Sequence, residues 1–592
     1  MRADAYELRT IFGKGIRYVV PLYQRPYVWD REGKWEPLWD DIRRLVEELA
    51  RSTKSDSLPP HFLGAIVLDQ QRGKVGDLEV RHIIDGQQRL TTLQLVLAAA
   101  AQVAEERDCA KSARLLQKLI SNDPDLYTEP DDQFKVWPTN TDRSAYRDSL
   151  LRSATVAKSD SLIASAYSYF HRAIARWADT EVENQEKAFD LLTRVVRDYL
   201  RLVVIDLDTN DNAQIIFETL NARTTPLLAI DLVKNLVFSR AEFQQVDLDS
   251  LYENFWQPFD QAPWRTEIRQ GRYNRPRAEV FLMHWLAMKT GEEVPATRLY
   301  SAFLRLLDHS EAPPVANLVE EFHRDSLNFL AFDAQPTGSP ERSFFDRLSV
   351  LEVTTIYPLL LFLFRQEQSV LSVVRRTQAL AMLESWLVRR MLCRLTPKNY
   401  NRFFLELLRA VRDDPHVADE VMLERLRSAT SDTARWPHDD ELREVLVTRS
   451  LYWAVAGSRI VMTLGAIELR MRSSKTEAVP LPSGLTIEHI LPQDWQEHWP
   501  VPEGDLSAEL DREAHVNRLG NLTLVTSSLN PSLSNSAWPK KRAALAEHSI
   551  LLLNRAICSD PSSDWSEASI DSRSARLADE IAEIWPRPRE SN

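Results

Sequence analysis

The residues best suited to chemistry lie between positions 485 and 541, where a histidine, a carboxylate and several amides follow one another. The segment reads LTIEHILPQ, then NRLGNLTLVTSSLN and finally SNSAWPKK. LTIEHI is a predicted strand that carries Glu488 and His489 to its end, where Pro492 stops it. Asn521 begins a second predicted strand, and Asn530 lies at the mouth of the next loop. We therefore expect Glu488, His489 and Asn530 to meet in one site.

These residue types suit the hydrolysis of a phosphodiester. That reaction needs a base to deprotonate the attacking water and a positive centre on the leaving oxygen. A neutral His489 suits the base, because the pKa of histidine lies near the working pH. A carboxylate and an amide oxygen suit Mg²⁺ or Mn²⁺. The alternative is a hydrogen-bonded structural histidine among turn asparagines, but the ordered motifs favour a site.

A second cluster, IIDGQQRLTTL at 83–93, combines a predicted strand end with the start of a long helix. Asp85 and Gly86 form the break, and a helix N-terminus attracts phosphate. Arg89, in the first turn, is placed to bridge phosphate oxygens. Asp85 could hold a magnesium ion or position water, and Gln87 and Gln88 could orient a nucleophile or read a base. Ordinary helix capping is the alternative for this turn taken alone.

A third cluster, VPLYQRPYVWD at 20–30, interleaves aromatic residues with an arginine: Tyr23, Gln24, Arg25, Tyr27 and Trp29. Such a segment can stack a base or clamp a DNA backbone. It can equally be a strap across a hydrophobic core. No Gly-x-x-x-x-Gly-Lys-Ser/Thr loop occurs in the chain, so a nucleotide site would not be of the P-loop type.

The elements around these clusters predict three domains in an α+β multidomain protein. Over residues 1–240, strand, turn and helix follow one another twice, in 62–106 and again from RLVVIDLD into DNAQIIFETLNA. Residues 241–445 are predicted to be mostly helical. Residues 446–592 open with a helix, LYWAVAGSRIVMTLGAIELRMR, which a Pro/Ser/Gly loop connects to a β-then-α segment with a helix starting near Ser536.

Composition limits the class of protein. The 592 residues carry a net charge of −13, which argues against general coating of nucleic acid but leaves local basic segments such as 389–402 and 540–542. Only 3 cysteines occur, so neither a disulfide framework nor a cysteine-built zinc site is expected. With no signal-peptide pattern at the N-terminus and no apolar run of membrane length, we expect a soluble, cytoplasmic protein without membrane contact.

The C-terminal segment resembles the HNH, or ββα-metal, nuclease motif. The resemblance implies that His489 is the general base and that Glu488 and Asn530 are metal ligands. It also implies that Asn521 holds the loop carrying the histidine, with Asn535 and Lys540 as weaker candidates for metal or phosphate contact. The motif often has Asp at the position of Glu488 and His at that of Asn530, so this chain departs from the common pattern at both positions.

The N-terminal clusters resemble the DGQQR-motif, ParB/sulfiredoxin-like domain of GmrSD-type, modification-dependent (type IV) restriction endonucleases, to which BrxU and SspE are related. FETLNARTTPLLAIDLVKN at 217–235 and VWPTNTDRSAY at 136–146 resemble further blocks of that family. The family order holds from residue 1 to about 545. Thr224-Thr225 departs from it, since many relatives have glycine there.

This second resemblance implies a site for an NTP, GTP or ATP with Mg²⁺. It would be built from Asp85, Gly86, Gln87, Gln88 and Arg89, with Asp85 and Arg89 catalytic. Supporting residues would be Asn221, Arg223, Asp231 and Lys234, although an exposed i, i+3 pair is the alternative for the last two. The aromatic segment, from Tyr23 to Trp29, and Lys540 would contact DNA.

The function implied is an NTP-dependent or NTP-regulated DNA endonuclease that restricts modified phage DNA in type IV fashion. A non-cleaving, NTP-gated DNA-binding sensor and an RNA-cleaving, toxin-like nuclease are the alternatives. DNA and NTP are the expected partners, and a homodimer and companion defence-system proteins are further candidates.

Overall fold

The computed structural model describes residues 2–21, 24, 26–51, 59–70, 78–127, 129–152, 161–180, 184–207, 228–271, 273–472, 479–559 and 564–588. The chain forms two compact units, one of residues 1–254 with 314–316 and one of residues 255–313 with 317–592. Both α-helices and β-strands are present and helices predominate, which confirms the α+β class. The division into 1–240, 241–445 and 446–592 and the ParB-like and HNH folds stay predictions.

The first unit is built on a six-stranded mixed sheet. Its strands are β1 (Arg2–Glu7), β2 (Ile16–Val19), β3 (His61–Gln70), β4 (Glu79–Asp85), β5 (Val136–Trp137) and β6 (Leu200–Leu207). They lie in the order β1-β6-β3-β4-β2-β5. β3 pairs antiparallel with β4 and parallel with β6, while β2 pairs parallel with β4 and β5. The predicted strand, turn and helix of 62–106 are confirmed, because β3 and β4 lead directly into a helix at Gln87.

Helices surround this sheet. They cover Leu8–Phe12, Glu36–Arg51, Gln87–Glu106, Ala110–Gln117, Asn140–Leu150, Leu162–Thr180, Gln185–Arg194, Ala229–Phe243 and Leu248–Leu251. Gln87–Glu106 is buried along nearly its whole length, as its run of Leu, Val and Ala predicts. It is the central core helix, so its first turn holds a fixed position at the end of β4.

The second unit is mainly helical. Its α-helices are Ala262–Arg265, Arg277–Thr290, Leu299–Leu307, Val315–Ala331 (from residue 317), Pro340–Leu351, Tyr357–Arg365, Val373–Leu392, Tyr400–Asp413, Ala418–Ser428, Asp439–Thr448, Gly457–Met471, Leu506–Val516, Asn530–Leu533, Trp538–His548, Leu552–Cys558 and Glu567–Ile584. Two hairpins interrupt them: β7 (Glu267–Gln270) with β8 (Tyr273–Pro276), and β9 (Leu485–His489) with β10 (Leu522–Thr526).

The predicted helix starting at Leu451 begins only at Gly457, so its first turn was predicted wrongly. The backbone N–H groups of Leu451 and Tyr452 donate to the carbonyl oxygen of Asn517 at 2.8 and 3.1 Å. Trp453 follows with a positive φ of 67°, which no right-handed helix accommodates. Contact with a distant segment therefore overrides the helical pattern. The helix expected near Ser536 is present as Trp538–His548, with Pro539 in its first turn.

The Glu567–Ile584 helix fixes the turn that begins β10. The guanidinium of Arg573 donates to the carbonyl oxygens of Gly520 and Leu522 at 2.6 and 2.7 Å, and Ser574 accepts from the Gly520 N–H at 2.9 Å. A Cβ at Gly520 would overlap the carbonyl oxygen of Ile570, so the close approach requires glycine. Asn521 is thereby held rigidly.

No helix among the described residues has both the length and the apolar character that crossing a membrane would require.

Candidate nuclease and nucleotide sites

The β9–β10 hairpin carries the predicted nuclease residues. His489 pairs with Leu522 and Glu488 with Thr523 in the antiparallel register. Because successive side chains of a strand point to opposite faces, Glu488 and His489 leave β9 on different sides. Their contacts agree with this, since the two side chains touch different residues.

His489 is half-buried at the end of β9. Its Nε2 lies 3.3 Å from Oδ1 of Asn517, and its ring meets that of Tyr452 edge-on at 4.5 Å between centroids. Burial lowers the pKa of His489 to about 4, with nearby Lys541 lowering it further and the Asn517 contact opposing the shift. Since an amide oxygen only accepts, Asn517 favours the proton on Nε2 and leaves the Nδ1 lone pair to act as a base.

Glu488 forms a buried ion pair. Its Oε1 lies 2.6 Å from Nζ of Lys541, which also donates to the carbonyl oxygen of His489 at 2.6 Å. The side chains of Glu488 and Lys541 are 7% and 1% exposed, so both charges are shielded from bulk water. Burial raises the pKa of Glu488 and lowers that of Lys541, while each charge opposes the shift of the other.

Asn521 is fully buried and uses both ends of its amide. Its Oδ1 accepts from the N–H of Leu491 at 2.7 Å and from Nε1 of Trp565 at 3.1 Å. Its Nδ2 donates to the carbonyl oxygens of Leu491 and Val516 at 2.8 and 2.7 Å. These bonds hold the backbone that follows His489, and the supporting role of Asn521 in catalysis stays a prediction.

The other predicted residues lie around the hairpin. Asn530 donates from Nδ2 to Oγ1 of Thr486 and to the carbonyl oxygen of Ile487, both at 3.0 Å. Asn535 is exposed and donates to Asp494 at 2.9 Å. Lys540 is exposed on the Trp538–His548 helix, next to the buried Lys541. The motif thus folds into one hairpin-and-helix region.

Glu488, His489 and Asn530 do not share a contact here, because each is bonded to a different partner. Carboxylate and amide oxygens are ligands that Mg²⁺ accepts, but the Lys541 ammonium already neutralises the carboxylate. As placed, the residues do not fit a bound divalent cation. Among the residues that the structure describes, no group of three or more His, Cys, Asp or Glu side chains is arranged to hold a metal.

The DGQQR turn lies at the end of β4. Gly86 has a φ of 95°, and a Cβ there would overlap Cγ2 of Ile66, so only glycine fits. Asp85 is half-buried at the strand end, opposite Val67. Arg89 donates from Nη1 to the carbonyl oxygen of Ala65 at 2.8 Å. The side chain of Arg89 also lies against the backbone of Gly64.

The described part of the aromatic segment forms a strap. Gln88 accepts from the Val28 N–H at 2.9 Å and donates to the carbonyl oxygen of Pro26 at 3.1 Å. Gln24 is buried and donates to the carbonyl oxygen of Ile84 at 3.0 Å. The buried Tyr27 hydroxyl lies 2.7 Å from Oγ1 of Thr92. For Gln24 and Tyr27, the contacts match the core strap that the sequence left as an equal alternative.

Trp29 is half-buried and packs against the same core, with Nζ of Lys34 5.6 Å from its ring. Gln87 is buried in the first turn of the helix. Tyr23, Arg25, Asn221 and Arg223 lie outside the described residues, so their predicted roles stay predictions.

Asp231 and Lys234 are 6% and 2% exposed, so the alternative of an exposed i, i+3 pair is wrong. Nζ of Lys234 lies 4.8 Å from the ring of Tyr252. Leu232, between them, packs with Ile84 of β4 in a small apolar cluster. The start of the Ala229–Phe243 helix therefore lies close to β4, and the nucleotide site predicted there stays a prediction.

The sequence patterns did not predict three residues that contact the candidate nuclease site: Tyr452, Asn517 and Lys541. Tyr452 was assigned to a helix, and Asn517 precedes the strand motif without a pattern of its own. Lys541 had only the signal of a basic run at 540–542, which does not distinguish a buried lysine from an exposed one. Contacts between distant segments define all three.

Sequence comparison adds to this geometry. The N-terminal domain of GmrSD restriction endonucleases matches residues 8–238, and the C-terminal domain of GmrSD restriction endonucleases matches residues 436–580. No curated protein matches the chain. The two matches follow the family order and together span more than half of the sequence, and the second contains the β9–β10 hairpin with His489. The chain therefore belongs to the GmrSD restriction endonuclease family.

Proposed function

We propose that the protein is a DNA endonuclease that restricts modified phage DNA, with His489 as its general base and an NTP bound in the first unit as its regulator. One observation carries the nuclease assignment: His489 stands at the end of β9 with its Nε2 3.3 Å from the amide oxygen of Asn517, which leaves Nδ1 as the basic nitrogen. The family match, which is that of restriction endonucleases, supports DNA as the substrate.

The chemistry follows from the geometry of His489. With the proton on Nε2 directed to Asn517, Nδ1 accepts a proton from water, and the resulting hydroxide attacks phosphorus. The bond from phosphorus to the leaving oxygen breaks, and the imidazolium or solvent returns a proton to that oxygen. Asn521 keeps the backbone after His489 in place during these steps.

The HNH resemblance implies Mg²⁺ or Mn²⁺ at Glu488 and Asn530. The proposal includes this cation on the condition that Lys541 first releases Glu488. Lys541 occupies the carboxylate, so a cation can bind Glu488 only after the ammonium has moved away. A divalent cation would supply positive charge to the leaving oxygen.

The first unit offers a place for nucleotide phosphates at the start of the Gln87–Glu106 helix. The helix dipole favours an anion there. Arg89 is half-buried beside this turn and donates from Nη1 to the carbonyl oxygen of Ala65. A guanidinium has five N–H donors, so Arg89 can also donate to a phosphate. Asp85 at the strand end is the carboxylate nearest in sequence for Mg²⁺ or water. GTP and ATP are both candidates.

The test is digestion of matched plasmids, with and without modified bases, in the presence and absence of each NTP. Wild-type protein is expected to cut modified DNA with Mg²⁺ or Mn²⁺. His489→Ala should abolish cleavage and leave NTP hydrolysis intact, whereas Asp85→Ala should remove hydrolysis or uncouple it from cleavage. His498→Ala and Asp40→Ala, both exposed, are the controls. Full cleavage by His489→Ala would defeat the assignment.

One observation favours a second candidate, an NTP-gated DNA-binding protein that does not cleave. The Lys541–Glu488 ion pair occupies a predicted metal ligand. NTP-dependent DNA binding without nicking in Mg²⁺, Mn²⁺ or Ni²⁺ would support it. Total RNA incubated in parallel distinguishes the RNA-cleaving alternative.

A further inference from the structure

An exposed aromatic pair adjoins His489. The ring of Trp453 meets that of Tyr452 at 4.9 Å between centroids, and Tyr452 in turn contacts the His489 ring at 4.5 Å. Trp453 is 79% exposed, so folding gains little from its ring. Its φ of 67° is strained for a bulky residue, and such strain is concentrated at functional sites. Packing of the core therefore does not explain why a tryptophan occupies this exposed, strained position, and a functional role does.

The pair is fixed in place by the same residue that contacts His489. The carbonyl oxygen of Asn517 accepts from the N–H groups of Leu451 and Tyr452, while its side-chain oxygen lies 3.3 Å from His489 Nε2. A backbone bridge between Ser450 and Arg518 adds to this connection. Asn517 consequently links the backbone of Tyr452 to the side chain of the candidate base.

Tyr452 and Trp453 line an open groove of 910 Å³. The lining is mainly apolar and also includes Val461, Met462 and Ile487. Arg347, which also lines the groove, is paired with Glu384. A lining of this kind suits the flat face of a nucleobase better than a phosphate backbone, which calls for free cations.

We propose that Tyr452 and Trp453 stack an unpaired base of the DNA substrate and thereby place the neighbouring phosphodiester beside His489. The occupant is a nucleobase because the lining is mainly apolar and because Tyr452, which lines the groove, also contacts the ring of His489 in the candidate nuclease site. This inference rests on the proposed function, since it specifies the form of DNA that reaches His489.

The test measures binding of a short single-stranded DNA that contains 2-aminopurine, in EDTA so that cleavage plays no part. Stacking on an aromatic ring quenches the fluorescence of this base. Wild-type protein is expected to quench it, whereas Trp453→Ala should lose the quenching and bind about tenfold or more weakly. Trp453→Phe should retain most of both effects. Tyr273→Ala, which removes an aromatic ring 68% exposed elsewhere in the same unit, should behave as wild type.

Trp453→Gly separates binding from folding. Glycine relieves the positive φ, so this variant should melt at the same temperature as wild type or higher while losing the quenching. A merely structural tryptophan would instead lower the melting temperature on removal. Equal affinity of wild type and Trp453→Gly, or equal affinity for an oligonucleotide with an abasic site, would overturn the proposal. If the wild-type protein quenches 2-aminopurine but never cleaves DNA, base stacking is supported and only the nuclease function is refuted.

Discussion

The ammonium of Lys541 lies 2.6 Å from the carboxylate of Glu488, and both side chains are shielded from water. A buried pair of this kind is costly to break from one side, because the remaining charge stays in a medium of low dielectric constant. The pair joins the Trp538–His548 helix to β9 and, through the His489 carbonyl oxygen, to the backbone of the candidate base. The ion pair therefore contributes both to the stability of the β9–β10 hairpin and to the position of His489.

Lys541→Met is expected to lower the free energy of unfolding by about 3–5 kcal/mol, because Glu488 is left buried without its counter-charge. Adding Glu488→Gln should recover most of that loss. Lys540→Met, one residue away and exposed, should stay within about 0.5 kcal/mol of wild type. Urea denaturation of the four proteins checks this. Equal losses for the two lysine variants would contradict a buried ion pair.

The same contact predicts a change in cation binding. Without the ammonium, the Glu488 carboxylate becomes available, so Lys541→Met should bind Mn²⁺ more tightly than wild type, by about tenfold or more. Electron paramagnetic resonance of free Mn²⁺ at neutral pH measures this directly. The gain should disappear in the double variant with Glu488→Gln. Unchanged Mn²⁺ affinity in Lys541→Met would show that Glu488 is not a ligand.

The proposed role of His489 as general base predicts the pH dependence of cleavage. Burial lowers its pKa from 6.5 to about 4, and a base must be unprotonated to accept a proton from water. The rate should therefore be insensitive to His489 protonation from pH 8 down to about 5, and should fall only as the pH approaches 4. Single-turnover nicking across this range, with circular dichroism at each pH to verify folding, measures it. An acid limb near pH 6.5 would show that the imidazole is exposed to water.

Asn521→Asp tests the backbone clamp after His489. The substitution keeps the shape of the side chain but turns the donor that faces the Leu491 and Val516 carbonyl oxygens into an acceptor. We expect the free energy of unfolding to fall by about 2–4 kcal/mol, since two buried carbonyls lose their partner, and cleavage to fall with it. Asn317→Asp, at an exposed position, is the control and should have little effect on stability. Equal stability of the two variants would contradict the clamp.

Local patterns predicted the elements that carry the sites. The β-rich run before Asp85, the Asp-Gly break and the Leu/Ala-rich stretch after it specify β4 and its helix without help from distant residues. The β9–β10 hairpin follows in the same way from LTIEH and LTLVT. Within each of these strands and helices, the residues that form the element are contiguous.

What the sequence did not predict depends on contacts between segments far apart in the chain. Tyr452 leaves its helical pattern because Asn517, 65 positions later, accepts its N–H. Lys541 is buried because its helix packs on β9, whereas the adjacent Lys540 faces solvent. Asp231 and Lys234 are spaced like a surface pair yet are buried. Side-chain environment of this kind is a tertiary property, so periodicity alone does not reveal it.

Gly86 offers the sharpest test of the DGQQR turn. An alanine there meets two obstacles, a φ of 95° and overlap of its Cβ with the side chain of Ile66. Gly338 has a φ of 84°, but a Cβ at that position would have no neighbour within 4 Å, so Gly338→Ala carries the backbone strain alone. Gly338→Ala should cost about 1 kcal/mol, and Gly86→Ala distinctly more, about 2–4 kcal/mol. Because the overlap displaces the first turn of the Gln87–Glu106 helix, Gly86→Ala should also weaken binding of a fluorescent NTP analogue, which Gly338→Ala should leave unchanged. Nucleotide affinity that survives in a folded Gly86→Ala protein would place the NTP away from this turn.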